Sequence, residues 1–282
     1  MGLDRGAVGA VSSPTTRAWT SRDSVVYALG VGAGQDELAF VTDDTRDMEP
    51  QALPTMAVIL AVPGPEIASA MGDYDRRMLV HGSQETIIHS TIPAAGAILY
   101  KTTITGIYDK GSGAAVATET VAVDAEGGAQ MFTNRSVAFI RGEGGWGGER
   151  GPSVVKLMIP DRAADHIVDY PLADNQAYLY RLSGDRNPLH SDPKFAKAAG
   201  FDRPILHGLC TYGYVGRALL QHACHGDVTL FREMSARFVA PMYPGELLTV
   251  AMWNVGEGRT VFEGRRNGSE IVIAGSLGSN HP

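Results

Sequence analysis

The sequence predicts an α+β protein of two similar halves, each an antiparallel sheet wrapped around a central helix. Three observations predict it. A chain of 282 residues is long enough for about two domains that each bury a core. Sliding the sequence along itself pairs Tyr27 with Tyr180 and Leu29 with Leu182, a shift of 180 − 27 = 153, and the same shift pairs Leu53 with Leu206 and Pro54 with His207. Each half ends in four segments rich in β-branched residues and separated by glycine-containing turns.

Taken in order, Leu53 and Leu206 are each followed by a small-residue-rich apolar stretch, PTMAVILAV and HGLCTYGYVGRALL, expected to form equivalent central helices. Gly208, Gly213 and Gly216 in the second stretch let helix and sheet approach closely. IHSTIPAAGAIL around Pro93 resembles FVAPMYPGELL around Pro244, within two residues of the same register. Strands are expected at 86–92, 97–107, 114–123 and 130–141, and again at 234–240, 247–255, 260–266 and 270–277. The turns DKGSG, DAEGG, GEG and NGS favour antiparallel hairpins. Between the halves, GEGGWGGERGP at 142–152 reads as a flexible link or mobile surface loop. The boundary falls there, giving an N-terminal repeat at 1–145 and a C-terminal repeat at 146–282.

Composition excludes several functions. No apolar run approaches the ~20 residues a membrane span needs. A net charge of −7 disfavours nucleic acid, which demands a basic stripe, although a few local cations suffice for a phosphate-bearing small ligand. The first fifteen residues carry no export pattern, so a cytoplasmic location is expected. Cys210 and Cys224 are expected to be buried free thiols.

The chemistry concentrates in YRLSGDRNPLHSDPKFAKAAGFDRPILHGL, residues 180–209. Ser183, Asp185, Asn187, His190, Ser191 and Asp192 crowd together there. Asp192 before Pro193 reads as the cap of the short helix PKFAKAA, closed by Gly200. The Asn-Pro turn brings Asp185 and His190 toward one point, and a converging carboxylate and imidazole suit water addition to a double bond: one takes a proton from water, and a proton is delivered to the α-carbon. On the residues alone, a structural turn explains them equally well.

GDRNPLH, followed after the short helix by PILHGL, resembles the hydratase 2 signature of MaoC-like, R-specific enoyl-CoA hydratases and dehydratases. The resemblance covers the whole chain and implies a double hot-dog fold in which only the second repeat keeps the signature. At the shift of 153, Asp185 falls on Gly32, Asn187 on Gly34 and His190 on Glu37. It further implies reversible hydration of trans-2-enoyl-CoA to (3R)-3-hydroxyacyl-CoA, with no cofactor and no metal. Asp185 and His190 are then the catalytic pair, Asn187 a polar substrate contact, and Gly208 the donor of a backbone N–H to the thioester oxygen. The last role has its own physical sense, because unpaired amides at a helix start favour developing negative charge. The first repeat is expected to be non-catalytic and to bind the acyl chain: Pro50, Pro54, Pro63 and Pro65 break its helix and leave an acyl tunnel. A homodimer is expected by similarity.

Two alternatives stand beside this reading: a hot-dog acyl-CoA thioesterase, and a non-catalytic acyl-CoA-binding subunit. Other signals are set aside. His207 reads as a packed or water-bonded residue, His222, Cys224 and His225 as a helix end without a metal, and Cys210 as core. GVGAG at 30–34 lacks the strand–loop–helix context of a dinucleotide site. Arg237, Lys194 and Lys197 read as solvated surface charge, with CoA phosphates as the alternative role.

Overall fold

The computed structural model describes residues 2–152 and 157–280. Ten strands form one antiparallel sheet: β1 (Thr15–Trp19), β2 (Leu79–Ile88), β3 (Gly96–Asp109), β4 (Gly113–Asp124), β5 (Gln130–Arg141), β6 (His166–Pro171), β7 (Phe231–Phe238), β8 (Leu247–Gly256), β9 (Arg259–Arg266) and β10 (Glu270–Ser279). They lie in the order β1-β3-β4-β5-β2-β7-β10-β9-β8-β6. Each half therefore has the same internal order, and the halves meet where β2 pairs antiparallel with β7, Ser83 opposite Arg237 and Ile87 opposite Glu233.

Each half opens with a strand that the sequence does not announce. β1 and β6 are short edge strands, mostly exposed, so neither carries the alternation that a half-buried strand writes into its sequence. β2 also starts earlier than expected, at Leu79, because its first residues are all partly buried and give no period-two pattern.

The two central helices differ. In the second half, α7 (Gly208–Ala223) runs for 16 residues with eleven of them buried. In the first, a 3-10 turn at Pro54–Met56 leads into the single turn α3 (Ala57–Leu60), and α4 (Pro65–Ala70) starts anew after Pro63. The prolines remove the amide donors that a continuous helix needs, so the expected equivalence of the two helices gives way to a broken one in the first repeat.

The duplication is physical where it was read. Tyr27, on α1 (Ser21–Gly30), and Tyr180, ending α5 (Gln176–Tyr180), are both fully buried with ring centroids 6.2 Å apart. Gly208 keeps α7 close to the sheet, a Cβ there lying 3.3 Å from Phe238 of β7, but the other two glycines serve the other repeat: a Cβ on Gly213 would lie 2.4 Å from Val31, and one on Gly216 the same distance from Thr55. Arg217 on α7 then pairs with Glu37, beside α2 (Leu38–Val41), both nearly inaccessible, and donates to the Val31 carbonyl at 2.8 Å. Glu37, the counterpart of His190, thus has a structural partner.

The glycine-rich segment after β5 is pinned. Gly145 and Gly147 donate their N–H groups to the Asp109 carboxylate at 2.8 and 2.7 Å, and these amides, with that of Gly111, pull its pKa down to about 2.

Candidate active site

The run of polar residues leaves α5 through a 3-10 turn at Arg181–Ser183 and reverses at Gly184, whose φ of +121° glycine tolerates. Asp185, half-buried, accepts from the Asn187 N–H at 3.0 Å. Asn187 in turn accepts from the Leu189 N–H at 3.0 Å and heads the 3-10 turn Pro188–His190. Its carboxamide oxygen is committed to that cap, and the residue is exposed. Asp192 caps α6 (Pro193–Ala198) by accepting from Lys194 and Phe195, as its position before Pro193 predicts.

His190 is 9% exposed, and its Nδ1 lies 2.9 Å from the Ile205 carbonyl. A carbonyl only accepts, so Nδ1 carries the proton and Nε2 keeps a lone pair. A carboxylate oxygen of Asp185 and one ring nitrogen each of His190 and His207 lie within 4.8 Å of one another. This is also the group of three metal-type donors found among the described residues.

His207 belongs to this cluster. It is buried and packed, as expected, but what it packs on is His190: the rings stack with centroids 3.8 Å apart. Its Nε2 donates to the Asp185 backbone carbonyl at 3.2 Å, and its Nδ1 is buried without a partner among the described residues. Burial lowers the pKa of His190, against the pull of the Ile205 carbonyl and the Asp185 carboxylate. Burial, reinforced by His190, takes His207 down to about 3. Both rings are neutral at pH 7.

His207 immediately precedes α7, so Gly208 supplies the first amide of the helix. The first backbone bonds returning into that helix start run from Cys210 and Thr211 to the His207 carbonyl, which leaves the amides of Gly208 and Leu209 without an intrahelical acceptor. A Cβ on residue 208 would lie 3.3 Å from the Phe238 ring, so glycine keeps this approach open.

Two cavities converge here. One of about 390 Å³ is lined by Asp185, Asn187, His190, Gly208 and Phe238. The other, about 550 Å³, is walled by the whole stretch Val58 to Pro63 from the broken first-repeat helix, with Tyr100 and Tyr180. Leu79, His81, Asp185 and Leu209 line both. His81 went unseen in the sequence: it comes from β2, its Nε2 is buried without a partner among the described residues, and its ring lies 5.0 Å from that of Phe238. Burial brings its pKa to about 4. No sequence pattern marks it, since only the β2–β7 pairing carries it to the site.

The signals set aside lie elsewhere. His222 stacks on His166 at 4.7 Å, far along α7 from Gly208. Cys210 and Cys224 are buried free thiols, and burial raises both pKa values. GVGAG begins at the end of helix α1. Arg237, Lys194 and Lys197 are exposed and line neither cavity. No helix among the described residues is long and apolar enough to cross a membrane.

Comparison with known proteins agrees across the chain. Residues 156–273 match the family described as MaoC like domain, and residues 18–142 match the MFE-2 hydratase 2 N-terminal domain. The chain is 43% identical over 273 residues to the 3-hydroxyacyl-thioester dehydratase Y of Mycobacterium tuberculosis, covering 96% of this chain and 94% of that one. It is 42% identical over 259 residues to the enoyl-CoA hydratase ChsH3 of the same organism, covering 89% and 88%. The crystal structure of a MaoC-like dehydratase from Phytophthora capsici superposes with a TM-score of 0.88 at 31% identity, covering 100% of this chain and 98% of that one. A Mycobacterium tuberculosis protein described as a double hot-dog fold superposes at 0.57 with 12% identity, covering 96% of each, a likeness of fold alone.

Proposed function

Because this chain belongs to the MaoC-like, hydratase 2 family, we propose that it interconverts trans-2-enoyl-CoA and (3R)-3-hydroxyacyl-CoA with Asp185 and His190 as its acid/base pair. The observation that carries this is the junction: Asp185 lines both cavities, a His190 nitrogen lies within 4.8 Å of its carboxylate, and the free amides of the α7 start border the same space.

The chemistry follows from those groups. The thioester oxygen accepts from the Gly208 N–H, where the helix dipole favours the charge that builds up as water attacks the β-carbon. Loss of one such donor costs roughly 10²–10³ in turnover. Water sits between the Asp185 carboxylate and the His190 Nε2 lone pair. One of them takes its proton as the oxygen bonds to the β-carbon, and a proton passes to the α-carbon to complete the addition. Asn187 orders the loop between the pair and borders the substrate. The acyl chain runs along Val58 to Pro63 in the first repeat, which is non-catalytic in this reading. The 3R outcome is taken from the family. A homodimer acting in the cytoplasm belongs to the same proposal.

The test is incubation with crotonyl-CoA while enoyl absorbance and free thiol are followed separately. A hydratase removes the enoyl band and releases no thiol. Thiol release would identify a thioesterase instead, and no change in either signal with short or long acyl chains would identify a binding subunit.

A further inference from the structure

Arg141 is a cation in search of an anion. It ends β5 of the first repeat and reaches the 390 Å³ cavity that also holds Asp185, His190 and Gly208. It is the only lysine or arginine among the described residues lining that cavity. Its Nη2 donates to the Ala199 carbonyl at 2.9 Å, and its guanidinium lies 5.8 Å from the centre of the Phe201 ring. Among the described residues its buried Nε has no partner and no carboxylate comes within ion-pair distance. The same cavity is also lined by the apolar Leu189, Phe201, Ile205 and Val239.

A buried N–H donor such as this Nε is unfavourable unless an acceptor completes it. In a chain of net charge −7, acidic groups abound, yet among the described residues none is placed on this guanidinium. The carbonyl and the aromatic face fix its plane, which is how a guanidinium is prepared to grip a phosphate through two parallel N–H donors. We infer that Arg141 forms a phosphate-binding subsite for the carrier arm of the thioester, on the side of the reacting centre opposite the acyl cavity. The inference rests on the hydratase reading for the identity of the substrate. CoA and a carrier-protein arm both offer a phosphate ester here, and the substrates below separate them.

Binding and turnover are measured for crotonyl-CoA, crotonyl-phosphopantetheine and crotonyl-pantetheine with wild-type protein, Arg141→Gln and Arg141→Lys, after melting curves establish that all three are folded. Calorimetry should show crotonyl-CoA binding weakened by about ten- to a hundredfold in Arg141→Gln, with part of the loss recovered in Arg141→Lys. Crotonyl-pantetheine, which has no phosphate, should bind the three proteins alike. KM for crotonyl-CoA should rise with kcat held within about twofold. An equal loss with phosphopantetheine would place the contact on the phosphate shared with carrier proteins, and a loss confined to CoA would place it on the phosphates only CoA has. Both support the subsite. Equal affinity of wild type and Arg141→Gln for crotonyl-CoA, or an equal loss with pantetheine, would overturn it. Because the calorimetric arm needs no turnover, a protein that bound crotonyl-CoA through Arg141 without hydrating it would refute the hydratase reading alone.

Discussion

His207 lies face to face with His190, ring centroids 3.8 Å apart and planes inclined by 30°, while its Nε2 meets the Asp185 carbonyl oxygen at 3.2 Å. One buried imidazole thus touches both members of the proposed acid/base pair and stands next to Gly208 in the chain. It contacts no reacting atom in the proposed mechanism. Its role is positioning: it fixes the backbone that carries the carboxylate and the plane of the ring that faces it.

Two substitutions separate these contacts. His207→Phe keeps an aromatic face against His190 but removes the donor to Asp185, whereas His207→Gln keeps a donor at the Nε2 position and removes the ring. Both are expected to lower kcat by about tenfold with little change in KM, the pattern of misplaced catalytic groups. Steady-state kinetics on crotonyl-CoA checks this, and full activity in both variants would leave His207 a packing residue only.

Acid should act on rate and stability in one direction. His190 must be neutral to accept a proton, and its pKa is below the ordinary 6.5, so the acid limb of kcat/KM should lie under pH 6.5. His207 titrates at about 3 when folded but near 6.5 when unfolded. Between those values the unfolded chain binds more protons, so its contribution to stability is complete above pH 6.5 and declines as pH falls toward 3. Urea unfolding at several pH values should show this decline, at most about 1.4 kcal/mol per unit from one such histidine, and His207→Gln should flatten it.

The Arg217–Glu37 pair joins the repeats through side chains that are 7% and 9% exposed. Removing one partner leaves a buried charge, so Arg217→Ala should cost about 3–5 kcal/mol in denaturant unfolding. A loss below about 1 kcal/mol would mean that the pair is hydrated and does not hold the halves together.

Gly208→Ala puts a methyl group 3.3 Å from the Phe238 ring in the cavity bearing the proposed thioester contact. A displacement of the thioester of up to 1 Å should lower kcat/KM by about ten- to a hundredfold. Adding Phe238→Ala should restore part of that activity, and a single variant with normal kinetics would remove residue 208 from substrate positioning.

The sequence exposes what packing repeats and hides what only pairing creates. Tyr27 and Tyr180 are legible as counterparts because the same residue type recurs at the 153-residue shift, and both are buried with their rings 6.2 Å apart. The break in the first central helix is legible because Pro63 and Pro65 cannot be accommodated in a helix interior. Asp185 and His190 are legible because a local turn brings them together. β1 and β6 stay hidden since an exposed edge strand needs no apolar alternation. His81 and Arg141 stay hidden for a different reason: they belong to the first repeat, and neither local spacing nor periodicity shows that the sheet delivers them to a site written in the second.

The most direct test of the central claim compares wild-type protein with Asp185→Asn and His190→Ala in single-turnover hydration of crotonyl-CoA, with folding verified by circular dichroism. Each variant should remain folded and bind the thioester while losing about 10²–10⁴ in rate. A folded variant that hydrates crotonyl-CoA at close to the wild-type rate would contradict the assignment of that residue, and two such variants would place the chemistry elsewhere.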